Sequence, residues 1–260
     1  MAESDYIAVN RAAWTRSNAE YTDGAARTAW ATTEIGYGQY QLPESELRVL
    51  PDVVGKDVIE LGCGTGYFGA WLKRTGAARV VGVDVTPAQL DTARRMEEEF
   101  GFGLEFIEAN AESIPLPDDS FDLAFSEYGA SIWCDPKLWI AEAARLLRAG
   151  GELFFLRGST LRMLCSPDGP GISNVLARPQ RGLYKLEWPE TETESAGVEF
   201  HAPTSEMLAI LWANGFELLD FRELYPPDDA VTHPYYDEPP IEWAKQWPAE
   251  EIWRARLRLR

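Results

Sequence analysis

The stretch that most constrains the fold is Asp57-Val58-Ile59-Glu60-Leu61-Gly62-Cys63-Gly64-Thr65-Gly66, followed at once by Tyr67-Phe68-Gly69-Ala70-Trp71-Leu72. A short apolar run that ends in glycines reads as a buried strand. The next residues place Phe68, Trp71 and Leu72 on one helical face and stop at Gly76. A strand that turns directly into a helix through glycine, with no hairpin, starts a parallel sheet.

The rest of the chain keeps that rhythm. Arg79–Asp84 is a β-branched strand, and Thr86-Pro87 opens a helix that runs to Phe100, with Gly101 as its stop. Leu104–Ile107 and Phe121–Ser126 read as strands three and four, Pro136–Arg148 as a helix, and Glu152–Leu156 as strand five. The alternation predicts a doubly wound α/β fold: a Rossmann-like, seven-stranded, mostly parallel sheet with helices on both faces. The later residues supply a hairpin (182–188 and 197–201), a helix from Thr204 to Asn214 and a strand from Phe216 to Tyr225. Trp253–Arg260 alternates apolar and basic residues, which puts its arginines on one side of an antiparallel last strand. The domains expected are an N-terminal helical cover over 1–50 and a main domain over 51–260. The latter divides into a cofactor-binding half (51–160), a hairpin insertion (161–203) and a C-terminal helix with strands (204–260).

Charge narrows the ligand. The chain carries 42 acidic against 24 basic residues, a net of -18, and the acid excess is densest in 166–247. That balance argues against nucleic acid and against an anionic membrane surface as partners. Three cysteines without framework spacing argue against a disulfide scaffold or a metal site, and an acidic start without a signal-peptide pattern points to a cytoplasmic protein. No apolar run approaches membrane-spanning length.

Glycines at this turn let a ligand approach the backbone. Gly64-x-Gly66-x-x-Gly69, with Asp84 twenty residues after Gly64, also matches a dinucleotide fingerprint, so an NAD(P)-dependent oxidoreductase is a competing reading. Glu60 at the strand end tilts away from it, because a carboxylate there repels a pyrophosphate and attracts a cation. A ligand with a ribose and a positive charge suits Glu60 and Asp84 together.

At this point the sequence resembles a known family. Glu60-Leu61-Gly62-Cys63-Gly64-Thr65-Gly66 is similar to the first motif of class I S-adenosylmethionine-dependent methyltransferases, and Val81-Gly82-Val83-Asp84 resembles their acidic ribose motif. Asn110–Pro117 with Ser120-Phe121-Asp122, and Leu146–Leu153, resemble the adenine segment and the approach to the fifth strand. The resemblance spans about 55–157 and is nearest the small-molecule branch with the ubiquinone-biosynthesis type. It implies methyl transfer from S-adenosylmethionine, with S-adenosylhomocysteine as product, to a small-molecule acceptor. It further implies that Glu60, Gly62, Gly64 and Gly66 hold the methionine end and Asp84 the ribose. Val85, Asn110 (where the family usually has aspartate) and Ala111 would meet the adenine. The Ser126 carbonyl would meet the cofactor amino group, Glu112 would be a contact or a solvated helix-start acid, and Tyr21 would belong to a closing helix. A non-catalytic module that binds the same cofactor is a third reading.

The acceptor pocket of such a sheet lies beyond the carboxyl ends of its strands. That places Glu127, Tyr128 and Trp133 after the fourth strand and Arg157 after the fifth as acceptor candidates. The N-terminal aromatics Trp30, Tyr37 and Tyr40 and the hairpin complete the expected wall. His201 is the first choice for a general base, ahead of His233.

Overall fold

In the computed structural model the described residues are 5–18, 23–169, 171–190, 196–231 and 239–259. Their elements in chain order are α1 (Asp5–Ser17), α2 (Asp23–Ala31), β1 (Gly36–Tyr37), β2 (Leu42–Pro43), α3 (Glu44–Leu47), β3 (Asp57–Leu61), α4 (Tyr67–Thr75), β4 (Arg79–Asp84), α5 (Pro87–Phe100), β5 (Glu105–Glu108) and β6 (Phe121–Glu127). There follow α6 (Ala130–Trp133), α7 (Pro136–Leu146), β7 (Leu147–Gly158), α8 (Thr160–Cys165), β8 (Lys185–Trp188), β9 (Gly197–Phe200), α9 (Thr204–Ala213), β10 (Phe216–Leu224), α10 (Ile241–Ala244) and β11 (Glu250–Leu257).

Seven strands form one sheet in the order β10-β11-β7-β6-β3-β4-β5. β3, β4, β5, β6 and β7 pair in parallel, while β11 lies antiparallel to both β7 and β10. The chain winds from β3 toward β5, then returns to the other side of β3 to lay down β6. That reversal opens a crevice at the carboxyl ends of β3 and β6, where such sheets bind ligands.

Period-two patterning sorts side chains onto the two faces. In β7, Leu153 and Phe155 join Trp139, Ile140, Met207 and Leu211 under α7 and α9, while Phe154 and Leu156 join Phe68, Leu72 and Met96 under α4 and α5. Trp30 of α2 is fully buried in the second cluster and donates its indole N–H to the Thr65 carbonyl (2.8 Å), which anchors the turn after β3.

Local chemistry sets the helix ends. Asp135 caps α7 by accepting the Lys137 N–H at 2.8 Å, and Pro136 supplies the first helical residue. Thr86 occupies the N-cap position of α5 but makes no side-chain capping bond. Instead Asp84 Oδ1 accepts the Thr86 N–H at 2.8 Å. The last strand starts earlier than its alternation suggests and stops at Leu257, so only Arg254 and Arg256 of the arginine run lie within it. They pair with Glu152 on β7, and Arg256 also with Glu217 on β10. The β8–β9 hairpin forms a separate two-stranded sheet. No helix among the described residues is long and apolar enough to cross a membrane.

Candidate active site

The crevice holds a cavity of about 380 Å³, bounded by the turn after β3, the ends of β4 and β6, the β1–β2 turn, α6 and one face of α1. Gly62 has φ +77°, and a Cβ on it would lie 2.6 Å from the Gly129 Cα, so the turn after β3 and the turn after β6 pack backbone to backbone. Gly64 sits at φ +53° with no atom closer than 3.6 Å to a built Cβ, which leaves that side of the turn open.

The N–H groups of this turn are already used. Gly62 and Cys63 donate to the Val83 carbonyl (2.8 and 2.9 Å), Gly64 to Asp84 Oδ2 (2.9 Å) and Gly66 to the Cys63 carbonyl (2.8 Å). A dinucleotide pyrophosphate is held by N–H groups at such a helix start, and four of the five between Gly62 and Gly66 face inward to the protein. Charge excludes a pyrophosphate more strongly still. Among the described lining residues Glu60, Asp84, Glu127 and Glu199 are acids and Arg162 is the sole base.

Each acid is placed by its own contacts. Glu60 is 4% exposed and its Oε2 accepts the Gly69 N–H at 2.9 Å. Burial pushes its carboxyl well above the usual carboxylate range against that hydrogen bond, and the negative charges of Glu127 and Asp84 add to the push. Burial also raises Asp84, although the N–H groups of Gly64 and Thr86 favour its ionised form. The Thr86 side chain and the Val85 backbone also donate to it. Glu127 accepts the Gly38 N–H on Oε1 (2.8 Å) and the Tyr67 hydroxyl on Oε2 (3.1 Å). Burial pushes it up to about 7, with a further rise from the charge of Glu250. The crowding of these acids in one lining favours protonation of the buried ones until a cation enters.

Tyr128, next along, takes a left-handed backbone with φ +53°. A tyrosine pays for that conformation, and here its hydroxyl reaches the buried Glu250 as a donor. Glu250 also accepts the Gln39 N–H at 2.7 Å. The far wall is aromatic, with Trp14 of α1 edge-on to Trp133 of α6 at a centroid distance of 5.5 Å.

α1 is fastened over the opening by polar bonds. Asn10 is buried; its side chain donates to the carbonyls of Val198 (2.8 Å) and Trp133 (3.3 Å) and accepts the Val198 N–H (2.8 Å). Arg11 donates to the Val85 carbonyl at 3.1 Å.

Of the residues singled out from sequence, Glu60, Gly62, Gly64, Asp84, Val85, Asn110, Ala111, Glu127, Tyr128 and Trp133 line this one cavity. Gly66 stands just behind it as the N-cap of α4. Ser126 is fully buried, its hydroxyl donating to the Leu61 carbonyl and accepting the Ser131 N–H, so its side chain does not line the cavity. Three expectations change. Glu112 turns from the cavity to accept the Tyr6 hydroxyl and the Asp135 N–H, so it fastens α1 to the start of α7. Arg157 is 1% exposed and is spent on Glu251 (2.7 Å) and the Ala202 carbonyl (2.8 Å), because its strand lies inside the sheet beside β11. His201 is buried behind Glu199 with its Nε2 2.8 Å from Glu199 Oε2, and it does not reach the cavity. Burial opposes ionisation of Glu199, yet the hydrogen bond and charge of His201 win and hold it below the usual range. Tyr21 and His233 lie outside the described residues. Sequence reading passed over Asn10, Trp14, Gln39 and Glu199, whose positions carry no motif.

Comparison with known proteins agrees with this geometry. Residues 59–155 match the family model described as a methyltransferase domain. The demethylmenaquinone methyltransferase of Thermus thermophilus is 37% identical over 102 residues, covering 39% of this chain and 46% of that protein. The ubiquinone/menaquinone biosynthesis C-methyltransferase of Stenotrophomonas maltophilia is 28% identical over 175 residues, 65% of this chain and 69% of that one. Against several curated relatives the chain spans only 38% to 46% of their length. Among solved structures, an S-adenosylmethionine-dependent methyltransferase from Mesorhizobium loti superposes with a TM-score of 0.64 at 26% identity, over 81% of this chain and 94% of that one. Over residues 59–155 the chain is similar to methyltransferase domains, and its fold is similar to that of an S-adenosylmethionine-dependent methyltransferase.

Proposed function

We propose that the protein transfers a methyl group from S-adenosylmethionine to a small-molecule acceptor by in-line displacement. The observation that carries this reading is the acid-lined cavity at the switch between β3 and β6, whose glycine turn directs four of its five N–H groups internally. That combination suits a ribose-bearing cation and disfavours the pyrophosphate of NAD(P). When bound, S-adenosylmethionine supplies an electrophilic methyl group on a sulfonium.

The chain's residues then have positioning tasks. Gly62 and Gly64 admit the methionine end beside Glu60, with Gly66 shaping the turn behind them. Asp84, in the cavity lining at the end of β4, takes the ribose hydroxyls. Val85, Asn110 and Ala111 face the adenine, the Asn110 amide oxygen standing in for the family's aspartate. α1 keeps water from the reacting groups, which raises the value of alignment. Residues 1–50 act as a cover on a 51–260 methyltransferase domain, in which 161–203 and 204–260 complete the acceptor side. The acid balance of the chain favours a cytoplasmic role on metabolites over one on nucleic acid or membranes.

The test is incubation with methyl-labelled S-adenosylmethionine and a small-molecule extract. Label recovered in a metabolite fraction is the expected result. Binding of S-adenosylhomocysteine with no label transfer across broad extracts would favour a non-catalytic cofactor-binding module.

A further inference from the structure

The cavity lining also carries a cluster to which the cofactor roles proposed above assign nothing. Glu127 lies at the end of β6 and lines the same cavity as Glu60 and the glycine turn. It is held by a backbone N–H from the β1–β2 turn and by the Tyr67 hydroxyl from α4. Each of its oxygens accepts one bond and keeps a lone pair. Tyr128 and Gln39 bind Glu250 behind it, so a second carboxylate stands close by. The groups that face Glu127 are therefore Glu60 from β3, Tyr67 from α4, Tyr37 from β1, Tyr128 and Glu250 from β11, with Arg162 of α8 near Tyr128 and Glu250. The aromatic pair Trp14 and Trp133 closes the same compartment.

Building on the methyltransferase reading, we propose that the acceptor is an aromatic amine or hydroxyl compound that presents an N–H or O–H to this wall, and that Glu127 takes its proton. The acceptor's lone pair forms the new carbon–nitrogen or carbon–oxygen bond. The methyl–sulfur bond breaks with its electron pair kept on sulfur, and the proton leaves for a Glu127 oxygen. Sulfonium and carboxylate become thioether and carboxylic acid, so no charge is left over in a closed cavity. A base whose affinity for protons sits near neutrality suits that task. A carboxylate acceptor meets Glu127, Glu199 and Glu250 and is repelled.

Tyramine and 3-(4-hydroxyphenyl)propionate, which share the phenol and its two-carbon chain and are opposite in charge, serve as probes of the protein loaded with S-adenosylhomocysteine. Calorimetry should show tyramine binding, tighter at about pH 8 than at about pH 6 as Glu127 ionises. Glu127→Gln should weaken tyramine roughly tenfold or more, Glu127→Asp should recover part of that loss, and both variants should still bind S-adenosylhomocysteine. The proposal is overturned if 3-(4-hydroxyphenyl)propionate binds as well as tyramine, if E127Q leaves tyramine affinity unchanged, or if neither probe binds the loaded protein. Failure to bind S-adenosylhomocysteine at all would instead strike the cofactor reading beneath it.

Discussion

At the scale of single residues, the buried carboxylates give the sharpest expectations. Glu127 ionises at about 7 in the fold, against 4.5 for an ordinary glutamate, so between those values the unfolded chain loses its proton first. Folding stability from this group therefore falls as pH rises through that window. Glu127→Gln removes the loss. Relative to wild type it should gain about 2–3 kcal/mol on passing from pH 4 to pH 8, read from urea unfolding. Asp84→Ala removes the only acid at the end of β4 and should weaken S-adenosylhomocysteine binding by roughly 10- to 100-fold, measured by calorimetry. Arg157 behaves differently because it is paired with Glu251 inside the sheet. Arg157→Leu leaves that carboxylate buried without its partner and should cost about 3–5 kcal/mol of stability. Cofactor affinity of the folded fraction should not change. Lost affinity there would return Arg157 to the site.

At the scale of elements, α1 is the part whose polar bonds decide access. Asn10 bridges it to β9 and α6, so Asn10→Ala should speed release of S-adenosylhomocysteine several-fold in stopped-flow while leaving β3 and β4 intact. An unchanged release rate would mean that α1 does not gate the cavity. The central strands β3 and β4 were readable because their runs are bounded by glycine, proline or an acid, whereas β1 and β2, of two residues each, show no period and β7 begins at Leu147, earlier than the Glu152 its sequence indicates. β3, α4 and β4 begin and end at the residues their sequence indicates. The helices α6, α8 and α10, of four to six residues, span too few turns to show a 3.6-residue period. His201 looked like a free base because the sequence shows a histidine after a strand. It cannot show that Glu199, two residues earlier, claims its ring. Arg157 misled for a related reason, since its partner lies 94 residues away on a strand that enters the middle of the sheet. The acids of β3 and β4 were legible, being fixed to a motif; Glu250 was not, because only the antiparallel insertion of β11 brings it beside Tyr128.

At the scale of the whole molecule, the winding reversal between β3 and β6 places a glycine turn and an acid-rich wall in one crevice. The acids thus fall in two groups: a few buried ones that line the crevice, and many exposed ones outside it. The central claim is that the crevice holds a ribose-bearing sulfonium cofactor or its thioether product, and not a dinucleotide. Thermal unfolding with each ligand near 100 times a typical dissociation constant tests it most directly, because a specific ligand at that excess stabilises by about 2.7 kcal/mol. A clear rise in melting temperature is expected with S-adenosylhomocysteine, cut to about 0.4–1.4 kcal/mol of stabilisation in Asp84→Ala, and none with NADH. A rise with NADH and none with S-adenosylhomocysteine would contradict it.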